Sequence, residues 1–135
     1  MEEAILDFLH YEIMKVYFER LATNTDDVTA EMKFITQENK EDSSMRRVTL
    51  HFVASGAIKA EIVLAGIFKI NESYPENYEG TNALEVIAGS ILIPYVRSLL
   101  SFISSADGSK PIIIPAINLN NLYSVNKDDS NGDNA

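Results

Sequence analysis

The 135 residues include no cysteine and no tryptophan. Without a thiol there is no disulfide, no thiolate nucleophile and no cysteine-ligated zinc or iron–sulfur cluster. Basic residues are scarce, with 11 Lys and Arg against 20 Asp and Glu and a net charge of −9. Such a surface repels phosphate backbones, which are held by Lys and Arg displacing counterions, so nucleic acid is not an expected partner. Unbroken apolar runs are short. The longest, Ile62 to Phe68, is interrupted by Gly66 and falls well below the roughly 18 residues of a membrane span. Met1-Glu2-Glu3 is acidic where a secretory leader would be basic, and a cytoplasmic protein without membrane insertion is expected. The chain also lacks a glycine-rich phosphate loop, a Gly-x-Ser-x-Gly elbow and a His-Glu-x-x-His helix, so neither cofactor nor metal is expected.

What is present fits one globular domain: 46% of the residues are hydrophobic and 23% charged. The acids gather at the front, where residues 1–45 hold eleven against four bases. Asn126 onward carries almost no apolar side chains, which predicts a disordered acidic tail over 126–135.

Ile5, Leu9, Ile13, Val16 and Leu21 approach helical spacing, whereas Tyr11, Ile13, Lys15, Tyr17, Glu19 and Leu21 alternate with Glu12, Met14, Val16, Phe18 and Arg20. Aromatic and β-branched residues after Tyr11 favour a helical turn over 2–9 followed by a strand. After the turn-forming Thr23 to Asp27, strands are predicted at 28–36, 47–55 and 58–70, the last ending before a loop that carries Tyr74 and Tyr78. These runs imply an antiparallel meander with helices on one face. Gly66 signals a bulge or a close backbone approach. Asn82 and Glu85 read as a capping box for a helix that Pro94 must kink or restart. Ile112 to Ile114, between two prolines, should be extended. Asn118 opens a last short helix through Leu122 and Tyr123.

No catalytic constellation stands out. His10 and His51 lie forty residues apart, and His51 occupies an outward strand position, as a solvated histidine would. An enzyme pairing His51 with carboxylates is the least favoured reading. The stronger signal is apolar surface beyond the needs of one small core, in the runs 62–68, 91–93 and 112–114 and in Tyr74, Tyr78, Phe102 and Tyr123. Such surplus fits a buried subunit interface, an open groove, or both.

Four segments in order carry a family likeness: Ala65-Gly66-Ile67-Phe68, Ile91-Leu92-Ile93-Pro94-Tyr95-Val96-Arg97, Pro111 to Pro115, and Ile117-Asn118-Leu119-Asn120-Asn121-Leu122-Tyr123. Together with Tyr11 to Ala22 they resemble the bacterial SecB export chaperones. The resemblance implies an α+β fold in which a four-stranded antiparallel sheet is covered by a long kinked helix and a short C-terminal helix. The domain would span 1–125 and assemble as a homotetramer, a dimer of dimers. It also implies ATP-independent binding of unfolded preproteins in apolar grooves and their transfer to the SecA motor. Tyr95 matches the groove aromatic of the family motif, and Leu122 and Tyr123 match its terminal helix. Ile58 and Phe68 fall on strand positions assigned to the same surface, and apolarity adds Phe102 and Ile113. Glu61 matches a fourth-strand acid of the SecA-docking surface, whereas the first-strand positions read Arg20 and Asn24. Some SecB relatives instead hold an antitoxin, which makes an antitoxin the alternative client. A further alternative is an oligomeric ligand-binding or structural domain whose apolar stripes are all interface.

Overall fold

The computed structural model describes residues 4–24 and 26–114. Four strands, β1 (Leu6–Arg20), β2 (Val28–Glu38), β3 (Met45–Gly56) and β4 (Ile58–Ile70), precede a single α-helix, α1 (Ala83–Ser105). The expected strand at 58–70 is present in full. The expected helical turn at 2–9 is replaced, from Leu6 onward, by strand β1.

All four strands form one antiparallel sheet in the order β1-β4-β3-β2. Strands β2, β3 and β4 are the expected meander, but β1 returns to the far side and pairs with β4 along its whole length. That arrangement, a Greek key, lies beyond local pattern because no short turn joins β1 to β4. The core lies on the face where Met32 and Phe34, Val48, Leu50 and Phe52, and Ile58, Ile62, Leu64 and Phe68 converge under Leu84, Leu92, Val96 and Leu100 of α1. Helix α1 sits over β2, β3 and β4. β1 reaches it through the aromatic rings of Phe8 and Tyr11.

β1 departs from simple alternation. Its register against β4 shifts between Phe8 and His10 and again between Ile13 and Lys15, so Leu9 and Met14 are extra residues. Each bulge switches the strand's faces. The side toward the helix therefore carries Leu6, Phe8, Tyr11, Ile13, Val16 and Phe18, spaced two, three, two, three and two apart. This mixed period is why the segment reads as part helix and part strand.

Gly66 lies in β4 opposite Tyr11 and Val48, not at a bulge. A Cβ there would lie 2.7 Å from Phe68 Cε1 and 3.0 Å from Leu92 Cδ2. The close approach is thus made by side chains, including the helix's Leu92. At the β3–β4 turn Gly56 has φ +111°, and a Cβ would strike the carbonyl of Asp27.

Helix α1 has no capping box. Asn82 occupies the N-cap without a side-chain bond. Thr81 Oγ1 instead accepts from the Ala83 amide at 3.2 Å, and Glu85 accepts the Thr36 hydroxyl at 2.9 Å, which ties the helix to β2. Pro94 lies within the continuous helix. Past Gly108, at φ +89°, the chain carries no regular secondary structure through Ile112 to Ile114; Ile114 is buried while its neighbour Ile113 faces solvent. The Ile112 amide is fixed by Ser104 Oγ at 2.8 Å. By length and composition alone α1 could also cross a membrane, although the serines that interrupt it hide this from a search for unbroken apolar runs. The predicted C-terminal helix and acidic tail lie outside the described residues.

Candidate functional site

The helix is narrower than the sheet, and the uncovered part is β1. Phe8 packs on buried Phe68 at a centroid distance of 5.2 Å, and Tyr11 lies 4.4 Å from Tyr95 of α1. Phe8 and Tyr95 are 6.2 Å apart. These four rings close the seam between β1 and the helix. The strip continues along β1 through Ile13 and Val16, which are 51% and 40% exposed although they point to the helix side. From Leu6 to Phe18 this side carries no charge. The result is an aromatic and aliphatic surface with two phenolic hydroxyls, open to solvent and backed by a rigid sheet.

The sequence-predicted residues distribute unevenly over this surface. Tyr95 is in the strip, and Phe68 is its fully buried floor. Phe102, seven residues after Tyr95 and so on the same flank of α1, is 71% exposed, and Ile113 is 75% exposed. Ile58 is only 1% exposed; it sits ten residues from Phe68 on β4, about 33 Å along an extended strand, and belongs to the core at the opposite end of the sheet. Leu122 and Tyr123 lie outside the described residues. Phe8, Tyr11, Ile13 and Val16 were missed, because the bulges hide their common face. The signal was their aromatic and β-branched character combined with the irregular spacing.

The loop with Tyr74 and Tyr78 braces the β1 end of the fold. Tyr74 is buried edge-on to Tyr78 at 5.4 Å, and burial raises its phenol above the ordinary tyrosine range. Asn71 donates to the carbonyls of Ile5 and Ala4, and Arg46 joins Glu79 at 3.1 Å.

On the opposite face of the sheet, Glu61 is not a free acid. Its Oε1 lies 2.5 Å from Lys15 Nζ, and its Oε2 lies 2.6 Å from His51 Nε2. Hydrogen bonds from Lys15 and then His51 hold its carboxyl below the ordinary glutamate range. The rest of this face balances Lys33, Arg47, Lys59 and Lys69 against Asp7, Glu12, Glu19 and Glu31. Arg20 turns away from it, donating to the Ser104 carbonyl at the helix end and stacking 5.5 Å over Phe18. His51 is outward, as expected, but engaged. Among the described residues no three His, Asp or Glu side chains gather to hold a metal ion.

Residues 15–130 match the family model for SecB, the preprotein translocase subunit. Protein-export protein SecB of Azoarcus sp. (strain BH72) is 27% identical over 116 residues, covering 81% of this chain and 72% of the relative. That of Ehrlichia ruminantium (strain Gardel) is 27% identical over 117 residues, covering 76% and 67%. Among solved structures, a SecB-like chaperone of Mycobacterium tuberculosis in complex with a ChAD peptide from an antitoxin superposes with a TM-score of 0.61 at 14% identity, covering 84% of this chain and 90% of that one. A Streptococcus agalactiae protein of unknown function superposes with a TM-score of 0.54 at 12% identity, covering 82% and 97%.

Proposed function

The chain belongs to the SecB family, and from that premise we propose that it is an ATP-independent holdase that keeps an unfolded polypeptide soluble on the strip between β1 and α1. The observation that carries this reading is the uncharged surface of Phe8, Tyr11, Ile13, Val16 and Tyr95, left open where the helix stops short of the sheet edge. An extended client can place alternate side chains against such a surface, and weak contacts repeated along one chain add through effective concentration. No bond is made or broken, so the mechanism consists of exclusion of water from apolar client segments and the reverse.

Two clients fit this mechanism: a preprotein bound for Sec export, as the names of the SecB relatives indicate, or an antitoxin segment, as in the Mycobacterium tuberculosis complex. The charge-balanced outer face, with Glu61 already held by Lys15 and His51, offers a motor such as SecA little electrostatic steering. That observation favours the antitoxin client as the second reading. We extend the proposal to a cytoplasmic homotetramer, a dimer of dimers, for which the exposed apolar residues along β1 offer one contact surface.

The test is suppression of aggregation of a slowly refolding reporter without ATP, with Tyr11→Ala plus Tyr95→Ala as the variant pair. Suppression by the parent, and a several-fold loss in a variant that stays folded, is expected. A parent without effect on aggregation overturns the reading.

A further inference from the structure

The Met14 bulge decides what β1 shows to the helix side. Ahead of it Ile13 stands opposite Leu64, and behind it Lys15 stands opposite Val63 and Val16 opposite Ile62. Were the insertion absent, Lys15 would stand opposite Ile62 and Tyr17 opposite Ala60, so Lys15 and Tyr17 would take the places of Val16 and Phe18 on the apolar strip. Register is strongly specified where one face is buried and weakly where it is not. Burial specifies this part of β1 only in part, since Phe18 packs against the core whereas Ile13 and Val16 remain about half exposed.

Polar contacts on the outer face supply what burial does not. Lys15 and His51 flank Val63 from β1 and β3, and Glu61 takes one with each carboxylate oxygen. The inserted Met14 is held outside by its neighbour across the sheet, with Arg47 Nη2 3.6 Å from its Sδ. Tyr17, opposite Glu61, does not compete, because its hydroxyl donates to Glu19. Lys33, opposite His51 on β2, adds positive charge beyond it. One carboxylate therefore grips the residue directly after the inserted one and ties three strands together.

We infer that Glu61, by gripping Lys15 and His51 together, fixes the Met14 bulge and thereby selects which side chains of β1 line the apolar strip. Glu61 is a positioning residue, acting from the opposite face of the sheet. Its consequence for a client rests on the holdase reading, whereas the register itself is measured without any client.

The absence of native cysteine makes that measurement clean. Two double-cysteine proteins are made, Val16→Cys with Ile62→Cys, facing each other in the observed register, and Tyr17→Cys with Ala60→Cys, facing each other only in the slipped one. In the parent background the first pair closes under mild oxidation and the second stays open. With Glu61→Gln, or with Lys15→Met should the first variant not fold, closure of the first pair falls and closure of the second appears. Exchanging the charges through Lys15→Glu with Glu61→Lys remakes the ion pair across β1 and β4 but leaves His51 without its acceptor, so it recovers the parent pattern in part. Unchanged closure of the first pair in a folded Glu61→Gln or Lys15→Met protein overturns the inference, whatever the client assay shows.

Discussion

Single atoms decide more here than side-chain class does. Gly66 shows this most directly: its missing Cβ leaves space for the ring of Phe68, which is itself trapped beneath Phe8 at 5.2 Å, and for Leu92 of the helix. The Phe68 ring cannot move without disturbing the seam, because Phe8 packs on it and lies 6.2 Å from Tyr95. Gly66→Ala should therefore destabilise by about 1–3 kcal/mol, the usual cost of overpacking a filled core, read as a lower denaturation midpoint with an unchanged slope. A loss below about 0.5 kcal/mol would show that the ring gives way freely. In the sequence a glycine inside an apolar strand signalled a bulge or a backbone approach, and the structure shows neither. That the approaching groups are side chains depended on β4 lying under the helix, which no local pattern reports. Glu61 is a similar case, since its identity was readable while its two partners, on β1 and β3, were set by topology.

Elements were legible in proportion to their regularity. β4 carries thirteen residues without a break in its pairing, and its limits followed directly from composition. β1 carries two bulges, and its apolar residues drift between helical and strand spacing. The misread first turn hid Phe8, and the two bulges hid the face that Phe8 shares with Tyr11, Ile13 and Val16, while Tyr95 was found on the regular helix. The start of α1 shows the other way a local motif can mislead. Asn82 and Glu85 have the spacing of a capping box, but Glu85 is drawn to Thr36 of β2 and the capping oxygen comes from Thr81. A cross-element hydrogen bond outcompeted the local one. Accordingly Asn82→Ala should stay within about 0.5 kcal/mol of the parent, while Thr81→Ala should cost about 0.5–2 kcal/mol through loss of the bond to the Ala83 amide. Urea denaturation of the two variants side by side distinguishes the cases, and the reverse ranking would reinstate the capping box.

For the whole molecule the informative feature is the asymmetry between the two sheet edges. β2 buries Met32 and Phe34 inward and turns Thr29, Glu31, Lys33 and Gln37 outward, with Ile35 its one large exposed apolar side chain. Charges on an edge strand discourage further pairing. β1 has Leu9, Ile13, Met14, Val16 and Tyr17 all exposed, along an edge of fifteen residues whose outer backbone groups have no strand partner among the described residues. Helix α1 adds a solvent side lined by Ser90, Pro94 and Ser98, and its only charged residues are Glu85 and Arg97. An isologous pairing of two copies through β1 would extend the sheet and cover these side chains at once. If so, Ile13→Lys with Val16→Lys should lower the mass in sedimentation by at least one dissociation step and leave far-ultraviolet circular dichroism unchanged, because both side chains are already half exposed. Ile35→Lys, an equal change on the blunt edge, should leave the mass alone. No shift from β1 would show that β1 is kept open for the client alone, and the aromatic strip would then be a surface of the single chain, whereas equal shifts from both edges would show that the contact is not particular to β1.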